Sequence, residues 1–343
     1  MDIPQKMKAA IAREYKKPLI LEEIAVPEVK DHEILIKVMA SGVCHTDLHA
    51  IDGDWPVKAK LPLIPGHEAV GKIVKKGAEV KHFNIGDIVG VPWLYSACGV
   101  CEYCVSGWET LCVYQKNTGY SADGGYAQYL LAHGNYAVKI PKGLDLYEAA
   151  PILCAGVTSY KAIKETEAKA GQWIAIVGVG GLGHLAVQYA IAMGMRVMAV
   201  DIANDKLELA AKHGAEITVN SLKEDPAIAA VQKAGGMQGV VITAVSPTVF
   251  KKSLEMLKRG GFCSIVGLPP GEFETPIFDL VLSRKTIRGS IVGTRQDAAE
   301  ALDFAARGKV KSDITIYKLE QINEIIDLLR KNKINGRAVM KME

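Results

Sequence analysis

The chain has 343 residues and a formal net charge of +3, with 49% hydrophobic and 23% charged residues. That length accommodates about two domains of ~150 residues, and the composition can fill a large core. Charge is spread without a basic run and no segment has the ~20 uninterrupted apolar residues of a membrane span, so neither nucleic acid nor a membrane is implied as a partner.

The opening residues, Met1–Lys8, lack the apolar core of a signal peptide, and a cytoplasmic location is expected. Up to about residue 150 the chain reads as β-rich. Apolar runs such as Glu33–Ala40 alternate with turn signals such as Asn84–Asp87, which predicts a small barrel-like or curved antiparallel fold. From about Gly156 the rhythm changes. Strands are expected at Trp173–Val177, Val197–Val200, Ile217–Val219, Val240–Ala244, Phe262–Val266 and Ile287–Val292, with helices between them. That alternation describes an α/β, doubly wound parallel sheet. After Gly293 two more helical segments and a last strand, Arg337–Met342, are expected to return to the first domain. A cleft between two such domains is the default binding site.

The segment Gly178-Val179-Gly180-Gly181-Leu182-Gly183 follows the strand run Trp173–Val177 and precedes an apolar helix pattern, Leu182–Met193. In that context a G-x-G-x-x-G pattern reads as a dinucleotide site. Gly178 permits the tight turn, Gly180 lets backbone approach a pyrophosphate, and Gly183 lets helix and strand pack closely. The helix N-terminus offers N–H groups to phosphates. Asp201 ends the second strand. A carboxylate there accepts hydrogen bonds from ribose hydroxyls and repels a 2′-phosphate, which favours NAD over NADP.

The chain holds seven cysteines. Cys98, Cys101, Cys104 and Cys112 are spaced C-x2-C-x2-C-x7-C, which suits a closed tetrahedral zinc shell. An iron–sulfur cluster uses similar ligands, and spacing alone does not exclude it. Glu102 and Glu109 beside the cysteines argue against a nucleic-acid zinc ribbon. Cys44, His67 and Cys154 lie far apart. Together they would make a three-ligand zinc site with one position open; taken singly, each is as readily a core cysteine or an ordinary histidine.

The stretch Gly66-His67-Glu68-Ala69-Val70-Gly71, followed by Gly77 and Val80, resembles the signature of zinc-containing medium-chain alcohol dehydrogenases. Gly42-Val43-Cys44-His45-Thr46-Asp47, the four-cysteine lobe and Gly178–Gly183 occur in that family's order, and the resemblance covers essentially the whole chain. Trp93-Leu94-Tyr95, Cys154–Thr158 and Gly289–Thr294 are most similar to the bacterial and yeast-type, ethanol-active branch.

The resemblance implies a GroES-like catalytic domain over 1–154, with a structural zinc lobe at about 93–115. It implies a Rossmann-type NAD-binding domain over 155–292 and a return to the catalytic domain over 293–343. It assigns a catalytic zinc to Cys44, His67 and Cys154, and a structural zinc to Cys98, Cys101, Cys104 and Cys112. Zinc as a Lewis acid lowers the pKa of a bound hydroxyl. Thr46 and His49 match a proton relay from the alcohol to solvent. Asp47 matches the carboxylate orienting His67, and Glu68 an acid behind the zinc. Thr158, four residues after Cys154, would share a helical face with it and press on the nicotinamide side. His45 and Arg337 match pyrophosphate contacts and Lys206 a ribose contact. Gly181, Leu182 and Val266 join the other cofactor-binding positions. Trp55 and Trp93 match bulky residues that narrow the substrate channel. The implied enzyme is a homotetramer that oxidises small primary alcohols with NAD. A cinnamyl-type or polyol dehydrogenase of the same superfamily is the alternative enzyme. A non-catalytic zinc or nucleotide-binding redox sensor is the alternative from another class, disfavoured by the intact relay residues.

Overall fold

The computed structural model describes residues 3–342. The chain divides into two units. One runs to Cys154 and takes in Thr294–Ala306 and the chain from Ser312 onward; the other is Ala155–Gly293 with Arg307–Lys311. Among the described residues no helix is long and apolar enough to cross a membrane.

The first unit is organised by one long strand, Glu33–Val43, whose inward residues Ile34, Ile36 and Ala40 are fully buried. Against Ala69–Lys76 its register slips twice, between Leu35 and Ile36 and between Val38 and Ala40. Such bulges bend a strand. Its two halves also take different further partners: Glu33–Lys37 pairs with Tyr129–His133, and Ala40–Val43 with the C-terminal strand Arg337–Lys341. The strand order is Ile314–Lys318, Arg337–Lys341, Glu33–Val43, Ala69–Lys76, Ile88–Val91, Val138–Lys139. All but the first pair run antiparallel. A separate hairpin pairs Lys6–Ile11 with Ile20–Ala25. Strand Ile314–Lys318 is one that the sequence pattern does not predict. It is a half-exposed edge strand, with no buried run to announce it.

The second unit carries six parallel strands: Trp173–Val177, Arg196–Asp201, Ile217–Asn220, Met237–Ile242, Leu257–Ile265 and Thr286–Gly289. Their spatial order is third, second, first, fourth, fifth, sixth. The first strand is central, and Ile174, Ala175 and Ile176 are fully buried. Helix Pro226–Ala234 shows how local sequence sets the crossovers. Asp225 caps it by accepting from the Ala227 and Ile228 N–H groups, proline occupies the first turn, and Gly235 at φ +69° ends it. The strand order reverses between the first and fourth strands, where their C-terminal ends leave a crevice in sheets of this kind.

Candidate active site and metal centres

Strand Glu33–Val43 delivers Cys44 to the start of helix His45–Asp52. His67 lies on the loop before strand Ala69–Lys76. Cys154 lies in a π-helical turn, Ile152–Gly156, between helices Leu146–Pro151 and Val157–Lys164. Here the structure corrects the sequence reading of Cys154 and Thr158 as one regular helical face. A π turn adds a residue to the repeat, so i,i+4 register does not hold across it. Donor atoms of Cys44, His67, Glu68 and Cys154 all lie within 4.8 Å of one another. The two sulfurs are 4.0 Å apart, and the Thr46 hydroxyl is 3.8 Å from the Cys44 sulfur. All four donor residues are buried, His67 and Glu68 completely.

Asp47, also completely buried, organises this cluster. One carboxylate oxygen accepts from the Gly66 N–H at 3.1 Å and contacts His67 Nδ1 at 2.8 Å. The other accepts from the Cys44 N–H at 2.9 Å and the Tyr126 hydroxyl at 2.8 Å. A carboxylate at Nδ1 keeps the hydrogen on that nitrogen and turns Nε2 into the free donor atom. Nε2 is buried without a partner, as is Glu68 Oε2. The other Glu68 oxygen accepts from the buried Arg337 guanidinium.

The charges follow from this packing. Hydrogen bonding between the two sulfurs holds Cys44 well below the usual thiol range and, with burial, pushes Cys154 well above it. Burial alone would lower His67, but Asp47 and the Cys44 sulfur raise it well above the usual imidazole range. Burial pushes Glu68 up to about 7 against the pull of Arg337. A pocket of two sulfurs, an unpartnered imidazole nitrogen and a carboxylate is costly in isolation and suits a bound cation. Two sulfurs and one imidazole are a zinc donor set, with the fourth position left for another ligand.

The second cluster is local. Cys98, Cys101, Cys104 and Cys112 bring their sulfurs within 4.8 Å of one another. The Cys101 and Cys98 N–H groups point at the Cys98 and Cys112 sulfurs, at 3.4 and 3.5 Å. Backbone donors at Val100 and Cys101 lower Cys98 to about 6, whereas burial and the neighbouring sulfurs push Cys104 up to about 12. Four convergent sulfurs fit a closed tetrahedral shell. Glu109, read from the sequence only as an acidic neighbour, is buried. It accepts from the Arg295 backbone N–H at 3.1 Å and from Arg295 Nε at 2.9 Å, tying this lobe to helix Arg295–Ala306.

In the second unit the glycine-rich segment joins the central strand to helix Gly183–Ala192. A side chain on Gly183 would meet the Gly178 carbonyl oxygen at 1.9 Å, so only glycine allows this approach. A Cβ on Gly180 would stand in open space, the room a pyrophosphate needs beside bare backbone. Asp201 accepts from the Val179 N–H at 2.7 Å, and from the Ile202 and Ala203 N–H groups at 2.8 and 3.0 Å. It therefore clamps the loop as well as ending its strand. Thr158 is buried with its hydroxyl unpartnered. Val266 and Lys206 are half-buried, the latter on helix Asn204–Lys212.

Residues 30–142 match the family model of the alcohol dehydrogenase GroES-like domain, and residues 181–307 that of zinc-binding dehydrogenases. An alcohol dehydrogenase of Geobacillus stearothermophilus is 56% identical over 98% of this chain and 100% of its own length. One from a Moraxella species is 55% identical over 97% of this chain and 99% of its own. The solved alcohol dehydrogenase of the archaeon Aeropyrum pernix superposes with a TM-score of 0.89 at 33% identity, covering 97% of this chain and 99% of that one. Acetophenone reductase from Geotrichum candidum, solved in complex with NAD, gives 0.88 at 31% identity, over 99% and 98% of the two chains. The chain belongs to the zinc-containing medium-chain alcohol dehydrogenases.

In this alcohol dehydrogenase the remaining expected site residues fall into two groups. Trp55 and Trp93 stand near each other, ring centres 6.4 Å apart, and Trp93 meets His67 edge-on at 5.4 Å. His49 stacks on Trp55 at 5.0 Å. His45 is exposed at the start of its helix, whereas Arg337, matched to a pyrophosphate contact, is buried against Glu68. Two further tyrosines complete the site and have no local sequence signal. Tyr126 bonds Asp47, and Tyr120 lies 5.5 Å from both tryptophans. Only their distance from Asp47 and the tryptophans in the fold, not in the chain, gives them their place.

Proposed function

We propose that the enzyme oxidises small primary alcohols such as ethanol to aldehydes, with reversible hydride transfer to NAD. The observation that carries this reading is the buried convergence of Cys44, His67 and Cys154 around an unpartnered imidazole Nε2. These three side chains would hold a catalytic zinc ion. A zinc ion there supplies Lewis acidity, lowering the pKa of an alcohol hydroxyl toward neutrality. Asp47 keeps His67 in the tautomer that ligates. Thr46 receives the alcohol proton and His49 passes it to solvent. Glu68, balanced by Arg337, lends negative charge behind the donor set. Cys98, Cys101, Cys104 and Cys112 would hold a second, structural zinc.

NAD supplies the hydride acceptor. Gly178–Gly183 would cradle its pyrophosphate, with His45 and Arg337 as further contacts. Asp201 and Lys206 would take the adenosine ribose, and Thr158 and Val266 the nicotinamide end. The NAD complex of the Geotrichum enzyme supports this cofactor choice. Trp55 and Trp93, backed by Tyr120, favour small substrates by filling space a bulky alcohol needs. The family resemblance also supports a homotetramer. Metal analysis combined with an NAD-reduction assay tests the reading. Two zinc ions per chain with turnover of ethanol supports it; one zinc without turnover of any alcohol contradicts it.

A further inference from the structure

Helix His45–Asp52 carries a second imidazole–carboxylate pair at its far end. Gly53, at φ +61°, closes the helix with its N–H on the His49 carbonyl at 2.9 Å. A side chain at Gly53 would run into the Tyr15 ring at 2.5 Å, so the left-handed turn is built into the packing. Were the helix to continue, position 54 would lie roughly 140° round the cylinder from position 49. The turn instead brings the Asp54 carboxylate onto His49 Nδ1, with its oxygens at 2.9 and 3.1 Å. The next residue, Trp55, lays its indole over the same imidazole with the planes 24° apart. Tyr120 backs Trp55 in turn.

We infer that Asp54 is a positioning residue for His49. Its carboxylate holds the hydrogen on Nδ1, and Trp55 sets the plane of the ring, so that Nε2 is presented as the proton-accepting atom. This inference rests on the reading of His49 as the proton carrier. The arrangement mirrors Asp47 and His67, with one difference that suits the other task. The Asp47–His67 pair is sealed from water, its side chains 0% and 1% exposed, as a ligand requires. His49 and Asp54 are 28% and 47% exposed, so the ring can exchange protons with solvent while its orientation is kept. Neighbouring Asp52 is engaged elsewhere, with Arg330 at 2.6 Å, which leaves Asp54 as the carboxylate on His49. Asp47 in the first turn of this helix and Asp54 just beyond its Gly53 cap thus each hold an imidazole with a carboxylate.

The test uses zinc-loaded enzyme with 15N-labelled histidine, the His49 signal being assigned by its loss in His49→Gln. In the parent, Nε2 carries the lone pair and Nδ1 the hydrogen. Asp54→Ala is expected to shift the ring toward the Nε2–H tautomer. Asp54→Asn, whose amide oxygen can still accept from Nδ1, should shift it less. Turnover in Asp54→Ala should fall about 5-fold, the rate equivalent of one partly exposed charged hydrogen bond. KM for alcohol should stay within about twofold, since no substrate contact is removed. In a His49→Gln background the Asp54→Ala loss should disappear, because Asp54 acts only through His49. An unchanged tautomer in Asp54→Ala, or an undiminished loss in the His49→Gln background, overturns the inference. If His49→Gln alone leaves turnover unchanged, it is the relay reading that fails, and the tautomer measurement still decides whether Asp54 holds the ring.

Discussion

Asp47→Asn isolates the support of His67, the proposed metal-ligand histidine. The carboxylate takes four contacts in two pairs: Gly66 N–H with His67 Nδ1, and Cys44 N–H with the Tyr126 hydroxyl. An amide of the same shape must point its NH2 at one pair. Facing Cys44 and Tyr126, it leaves the Cys44 N–H opposed by a donor, although the tyrosine hydroxyl can rotate to accept. Facing Gly66 and His67, it opposes the Gly66 N–H and pulls the imidazole into the tautomer whose Nε2 cannot ligate. The first orientation is the less costly, at one orphaned backbone donor, about 1–3 kcal/mol, and a lost negative charge. Zinc affinity at the Cys44–His67–Cys154 site should therefore fall roughly 10- to 100-fold, about 1.4–2.8 kcal/mol. Competition with a chelator, followed by metal analysis, reads this directly, with circular dichroism as a check on folding. Zinc retention equal to the parent would refute the claim that this carboxylate holds His67 for the metal.

Trp93→Ala removes the indole lying edge-on to His67 and beside Trp55 and Tyr120. The ratio of kcat/KM for benzyl alcohol over ethanol should rise about tenfold or more; an unchanged substrate profile would count against a channel role. Asp201→Gly should raise efficiency with NADP relative to NAD. It also strips an acceptor from three backbone N–H groups, so a stability loss of about 1–3 kcal/mol should accompany it. An unaltered cofactor ratio would remove the ribose role. His49→Gln should slow alcohol oxidation and be partly rescued by added buffer bases; unchanged rates would remove the relay. Burial pulls Glu109 up, but the Arg295 guanidinium and the backbone N–H groups together hold it below the usual carboxylate range, so the carboxylate is ionised at neutral pH. The pair therefore contributes stability that is fully present above the ordinary carboxylate range and is lost as pH falls from that range through the lower value Glu109 has in the folded state. Glu109→Gln should lower Tm at pH 7 and speed metal loss from the cysteine lobe, with the Tm difference shrinking toward pH 4. A constant difference across that range would show that the charge is not what matters.

What was legible in the sequence depended on how far the information reached along the chain. The parallel sheet could be read because its central strands are short, mostly buried apolar runs, as in Trp173–Val177, whereas the edge strands Ile217–Asn220 and Thr286–Gly289 are half-exposed. The cysteine lobe could be read because its four sulfurs lie within one loop. Cys44, His67 and Cys154 are separated by long stretches, and only the family pattern joined them. Their partners were partly hidden for the same reason. Tyr126 reaches Asp47 from strand-flanking chain far downstream, and Arg337 reaches Glu68 from the C-terminal strand. The π turn at Cys154 was illegible because an apolar helical run carries no mark of one inserted residue. Asp54 carries no signal in the sequence because helical spacing gives no reason to pair positions 49 and 54; the turn at Gly53 supplies it.

In the proposed catalytic centre two sulfurs and one imidazole grip an ion while a fourth position stays free for substrate. Zinc X-ray absorption on a Cys112→Ser variant, relieved of the lobe metal, tests this arrangement most directly. Two sulfurs at about 2.3 Å with lighter ligands at about 2.0–2.1 Å are expected. Addition of ethanethiol, a sulfur analogue of the alcohol, should raise the sulfur count from two to three. A count that stays at two under saturating ethanethiol, with Glu68 or another protein group filling the shell, would contradict it.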